Sequence, residues 1–141
     1  MDVRKGLISG VVAGISLFFI GWLMEAFTME SLFLPYYEAT PELWNPIGTT
    51  VAFEGVVVAL VVGILMGAIY TIFYRAIPSG GVFKGLIFGL MFFLISDVPS
   101  FFNLQLLIPI PDEVIMYWFL KDLISFLVSG TVLAMVYESV K

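Results

Sequence analysis

The sequence predicts an all-α, polytopic membrane protein: four transmembrane helices in a compact bundle, arranged as a tandem duplication of a helical hairpin. Three observations carry this reading. The chain of 141 residues is 61% hydrophobic and only 12% charged, whereas a soluble domain is about 45–50% apolar and about 25% charged. Its mean hydropathy is +1.09, which is more apolar surface than a small globule can hide, because small bodies have large surfaces for their volume. Four apolar stretches reach the roughly 20 residues that a helix needs to cross a bilayer.

These stretches cover 6–27, 50–74, 81–103 and 112–137, so residues 1–141 read as one membrane domain. They are continuous rather than alternating, which argues against barrel strands. Arg4 and Lys5 precede the first as they would in a signal peptide. Its core is long, however, and Trp22, Met24 and Glu25 stand where small residues would mark cleavage, so an uncleaved helix is expected. The connection 28–49 carries Pro35, Pro41 and Pro46. Within it, Thr40-Pro41-Glu42-Leu43 reads as an N-cap with proline at the first helical position, opening a short helix that lies on the interface with Trp44. Pro78-Ser79-Gly80-Gly81 marks a tight turn between the second and third helices. In the third, Pro99 removes a backbone hydrogen bond and either kinks or ends the helix. Asp112 and Glu113 suit the positive N-terminal end of the fourth.

Five of the six basic residues, Arg4, Lys5, Arg75, Lys84 and Lys141, fall on one side of this topology. The positive-inside rule then predicts a multi-pass protein of the cell membrane with both termini cytoplasmic. Trp22, Trp44, Trp118, Tyr36, Tyr37 and Tyr117 fall near the outer interface, and Tyr70, Tyr74 and Tyr137 near the inner one, as aromatic belts would. The duplication rests on Lys5-Gly6-Leu7-Ile8-Ser9-Gly10 recurring as Lys84-Gly85-Leu86-Ile87-Phe88-Gly89, and more weakly on Gly63 with Gly130 and Tyr70 with Tyr137. Small residues four apart stripe every helix, for example Gly6, Gly10 and Gly14, or Gly55, Ala59, Gly63 and Gly67. In lipid, close backbone approach at such residues drives helix association.

The chain has no cysteine and no histidine. That excludes disulfides, thiolate or imidazole metal sites, haem ligation by histidine and histidine-centred catalysis. No phosphate loop or hydrolase elbow occurs, and the net charge of −5 offers no basic patch for nucleic acid. No catalytic residue, metal or cofactor is therefore assigned.

A charge at the centre of a membrane helix costs about 2.5–3.5 kcal/mol on insertion scales, so intramembrane charges need a reason. Glu25, Glu54, Asp97, Lys121 and Asp122 all fall in the outer half, with every helix contributing. Asp97 and Lys121 lie at similar depth on antiparallel neighbours and are the expected ion pair. Ser96, Ser100, Asn103 and Trp118 are expected to line a cavity, with Phe101 and Phe102 beside them. Three readings follow: a structural ion pair, a cation or proton site of convergent carboxylates, and a cavity for a lipid or lipophilic ligand. Small four-helix exporters share the span number and a membrane carboxylate. In those exporters the carboxylate sits near the middle of the first helix, whereas Glu25 is near its end. The expected function is a non-enzymatic membrane protein that binds a lipophilic ligand or a membrane partner through its outer side, as a homodimer or part of a larger complex. The alternative is a small transporter or channel for a cation or proton.

Overall fold

A computed structural model describes residues 2–44, 48–78 and 80–140. Pro46, Ser79 and Lys141, used above as a loop proline, a turn residue and a topology marker, lie outside the described residues. The structure assigned among the described residues is helical: α1 (Val3–Thr28), a π turn (Met29–Phe33), α2 (Leu34–Ala39), a 3₁₀ turn (Pro41–Leu43), α3 (Thr49–Phe73), α4 (Gly81–Leu107) and α5 (Asp112–Ser139). The four long helices are each long and apolar enough to cross a membrane, with mean hydropathy of 1.8 to 2.6 over their most apolar windows. Their outer faces stay apolar, as lipid requires: Val61 and Leu65 on α3 are about half exposed, and so is Leu94 on α4.

Local chemistry explains the helix ends. The Asp2 carboxylate accepts the Lys5 amide at 3.1 Å and caps α1. Gly81 opens α4 with φ of +55°, in the left-handed region that glycine enters without steric cost. Pro99 lies inside a continuous α4, which runs on to Leu107. Ser96 and Ser100 donate back to the Phe92 and Ser96 carbonyls at 2.8 and 2.9 Å around it. The first connection is more helical than its sequence suggests. α1 passes through the π turn into α2, and the segment after Thr40 is a single 3₁₀ turn. Thr40 does not cap that turn with its side chain. Its hydroxyl instead donates to the Tyr36 carbonyl at 2.8 Å and accepts from the Trp44 indole at 3.0 Å.

Each hairpin packs on itself, α1 against α3 and α4 against α5, and the hairpins join along α1 and α5. The order across the bundle is therefore α3–α1–α5–α4. Asp2 and Glu138, near the two ends of the described chain, line one cleft at the same end of the bundle, here the termini end; the other is the far end. Seams of backbone contact hold the hairpins. A Cβ added at Gly10 would lie 2.7 Å from the Gly63 carbonyl oxygen, and one at Gly14 would lie 2.7 Å from that of Ala59. In the second hairpin a Cβ at Gly85 would lie 2.5 Å from the Gly130 carbonyl oxygen, and Gly89 sits against the Phe126 carbonyl. Matching Gly63 with Gly130 thus pairs Gly10 with Gly85, one turn away from the Gly10–Gly89 match of the sequence.

The buried residues of α1, α3 and α4 all fall in the termini half. An aromatic cluster closes that end. The fully buried Tyr70 packs edge-to-face on Phe88 at 5.0 Å and on Tyr137 at 5.2 Å. Tyr70 and Tyr137 are core side chains, not members of an interfacial belt. The Tyr70–Phe88 pair is also where α3 meets α4, which otherwise scarcely touch. Beyond Gly14 the first hairpin opens: Gly55 has only the Phe18 ring near its missing Cβ, at 3.6 Å, and Gly21 has nothing within 4 Å.

Gly10→Leu and Gly63→Leu each force a side chain into opposing backbone, a clash worth upwards of about 3 kcal/mol. Both variants should lose the folded state in detergent melting curves, while Gly21→Leu should melt like the parent. Equal melting of all three would contradict the seam.

Candidate functional site

The divergence of α3 from the other helices leaves a cleft of about 790 Å³ in the far half. Glu25 from α1, Glu54 from α3, Asp97 from α4, and Lys121 with Asp122 from α5 all line it. The remaining wall is mainly apolar, with Phe18, Trp22, Val58 and Phe126 among its side chains. All five intramembrane ionisable residues singled out in the sequence thus share one surface. Ser96, Ser100, Asn103 and Trp118 do not line it, and neither do Phe101 and Phe102.

Helix faces explain this separation. Ser96 and Ser100 use their hydroxyls on their own helix, and Asn103 is exposed. Trp118 belongs to an aromatic cap at the far end, stacked on Phe33 at 6.1 Å and edge-on to Trp44 at 6.1 Å. Phe101 packs on Phe119 at 4.8 Å, away from the cleft wall. The cap is built by the π turn, which carries the chain over the end of α5 and buries Phe33 between Tyr117 and Trp118. The Thr28 hydroxyl, 2.9 Å from that of Tyr117, fastens α1 to α5 just below it.

The ion pair differs from the one the sequence suggests. Lys121 Nζ lies 2.7 Å from Glu25 Oε1 and 3.8 Å from Asp122 Oδ1, and it makes no ion pair with Asp97 among the described residues. Depth accounts for the change. Glu25 sits near the end of an apolar run, but the helical chain continues through the π turn to Phe33, eight residues or about 12 Å further along. That extension holds Glu25 level with a lysine well inside α5. The Lys121 side chain is 14% exposed and the Glu25 side chain 48%, so the pair is shielded on one side only.

Asp97 takes a different partner. Its Oδ2 lies 2.6 Å from the Ser96 hydroxyl, which also reaches the Phe92 carbonyl at 2.8 Å. Outside the spans, burial and then the Glu25 carboxylate push the Tyr37 phenol above its ordinary range, which places α2 within the field of the cleft's acidic mouth. Among the described residues no three acidic side chains converge as a metal site would require.

Sequence reasoning passed over Lys84, which it treated as a topology marker. Lys84 is 8% exposed. Its ammonium donates to the Tyr74 carbonyl at 2.9 Å and lies 3.9 Å from the centre of the Tyr74 ring. The signal available was its place three residues into a helix that follows a tight turn, where a long side chain can fold back over the preceding helix end.

No protein family matches the chain, and neither a curated protein nor a solved structure shows significant similarity to it.

A double-mutant cycle separates the two pairings of Lys121. Glu25 with Lys121 should couple by about 1 kcal/mol, the size expected of a pair open to solvent on one side. Asp97 with Lys121 should couple by less than half as much. The cycle uses Glu25→Gln, Asp97→Asn and Lys121→Met in detergent unfolding; the reverse ranking would reject the observed pair.

Proposed function

We propose that this chain is a small non-enzymatic protein of the cell membrane whose far-half cleft binds a lipophilic ligand. One observation carries the reading: every intramembrane carboxylate and the intramembrane lysine line a single cleft whose other walls are mainly apolar. Its volume of about 790 Å³ falls within the size range of small-molecule sites. The weak packing of α3 on α4 leaves a side entrance from the lipid. An apolar chain would lie against Phe18, Val58 and Phe126. A polar head would meet Glu54, Asp97 and Asp122, while Glu25 and Lys121 engage each other. Heads with hydrogen-bond donors or positive charge complement that wall.

Arg4, Lys5, Arg75 and Lys84 at the termini end support a cytoplasmic location for both termini. The parallel between the Gly10–Gly63 and Gly85–Gly130 contacts supports descent from a duplicated hairpin, one copy slid by a turn.

The four carboxylates that line the cleft, Glu25, Glu54, Asp97 and Asp122, favour a second reading, in which it carries a proton or a cation.

Native mass spectrometry of gently solubilised protein, run beside proton flux into liposomes, distinguishes the two. Wild type should retain a lipophilic adduct, Asp122→Asn and Glu54→Gln should lose most of it, and liposomes should show no flux. Flux abolished by Asp97→Asn, with no adduct on wild type, would replace the first reading with the second.

A further inference from the structure

A second cleft, of about 740 Å³, opens at the termini end between the start of α1 and the last turns of α3 and α5. It is independent of the far-half site. Lys5, Arg75, Asp2, Glu138, Thr71 and Tyr137 contribute its polar lining.

The acidic groups here are already engaged. Asp2 caps the amide of Lys5 at 3.1 Å. Glu138 Oε1 accepts the Gly81 amide at 3.2 Å and the Tyr74 hydroxyl at 3.3 Å, tying the end of α5 to the turn between α3 and α4. The Thr71 hydroxyl is spent on the Gly67 carbonyl at 2.8 Å. The cations are not engaged: among the described residues, the only ion pairs belong to Lys121. Tyr137 is 7% exposed and lines the cleft, and its hydroxyl has no hydrogen-bond partner among the described residues. Two unpaired cations and the Tyr137 hydroxyl thus surround the same space.

The geometry points to a binding site for the phosphate of an anionic phospholipid headgroup, drawn from the leaflet at the termini end. Arg75 offers a planar fork of donors suited to phosphate oxygens, Lys5 a point charge, and Tyr137 a neutral hydrogen bond from the floor. Lipid is the source because of depth. Arg75 follows α3 by two residues, and Lys5 is in the first turn of α1, so both stand where helices leave hydrocarbon. Ile72, 61% exposed beside them, meets the acyl region. Basic pockets between spanning helices hold anionic headgroups in this way.

Titration of the full chain in detergent with phosphatidylglycerol and with phosphatidylcholine, read by native mass spectrometry, tests the site. Phosphatidylglycerol should bind at concentrations where phosphatidylcholine does not. Arg75→Gln and Lys5→Gln should each weaken it about fivefold. Tyr137→Phe should weaken it by a smaller factor with an unchanged melting temperature. Arg4→Gln, a basic residue at the same end that does not line the cleft, should have no effect. Equal binding of the two lipids, or an equal loss from Arg4→Gln, would overturn the site. Displacement of phosphatidylglycerol by excess inorganic phosphate would identify a free anion as the ligand and overturn the lipid assignment.

Discussion

Backbone-to-backbone approach at glycine governs this molecule. Apolar burial contributes little to helix association in lipid, so contact distance decides where helices adhere. At Gly10 and Gly14 on α1, and at Gly85 and Gly89 on α4, the opposing carbonyls sit where a Cβ would be. These contacts belong to the termini half, together with the buried residues of α1, α3 and α4 and the Tyr70–Tyr137 aromatic cluster. The far half has no such contacts in its first hairpin. Its cleft follows from where the seam stops: Gly55 and Gly21 are glycines without a backbone across from them.

Charge is distributed on the same plan. Among the described residues, the closed half admits one charged side chain into its core, Lys84, held by a carbonyl and a ring rather than by an anion. Cation–π attraction strengthens as water is excluded, to about 2 kcal/mol or more, which suits a buried site. The open half takes Glu25, Glu54, Asp97, Lys121 and Asp122, where the cleft offers solvation. Lys121 is bracketed by Glu25 and Asp122, and Asp97 turns to Ser96.

The four long helices were legible in the sequence because a continuous apolar run of bilayer length has few alternative structures. The charged cluster was legible too, since charge inside such a run is conspicuous. Pairing within the cluster was not. Asp97 and Lys121 match in depth, but depth says nothing of the direction in which a side chain leaves its helix, and the π turn after Thr28 alters how far Glu25 sits from the helix end. Ser96, Ser100, Asn103 and Trp118 stand away from the cleft wall for a related reason. Their polarity is visible in the sequence, yet a hydroxyl in lipid is as well satisfied by its own helix as by a cavity. Tyr70 and Tyr137 sit at the height of an interfacial belt; only their facing, inward toward Phe88, separates core from belt.

The tight seams are internal to each hairpin, whereas the joint between hairpins runs along α1 and α5. The hairpin is therefore the unit of assembly. Two consecutive spans emerging into the membrane can lock together before the next pair is made, with no wait for the distant end of the chain. Biogenesis then reduces to docking two finished pairs, and the later, looser joint between them is the part of the molecule freest to adjust.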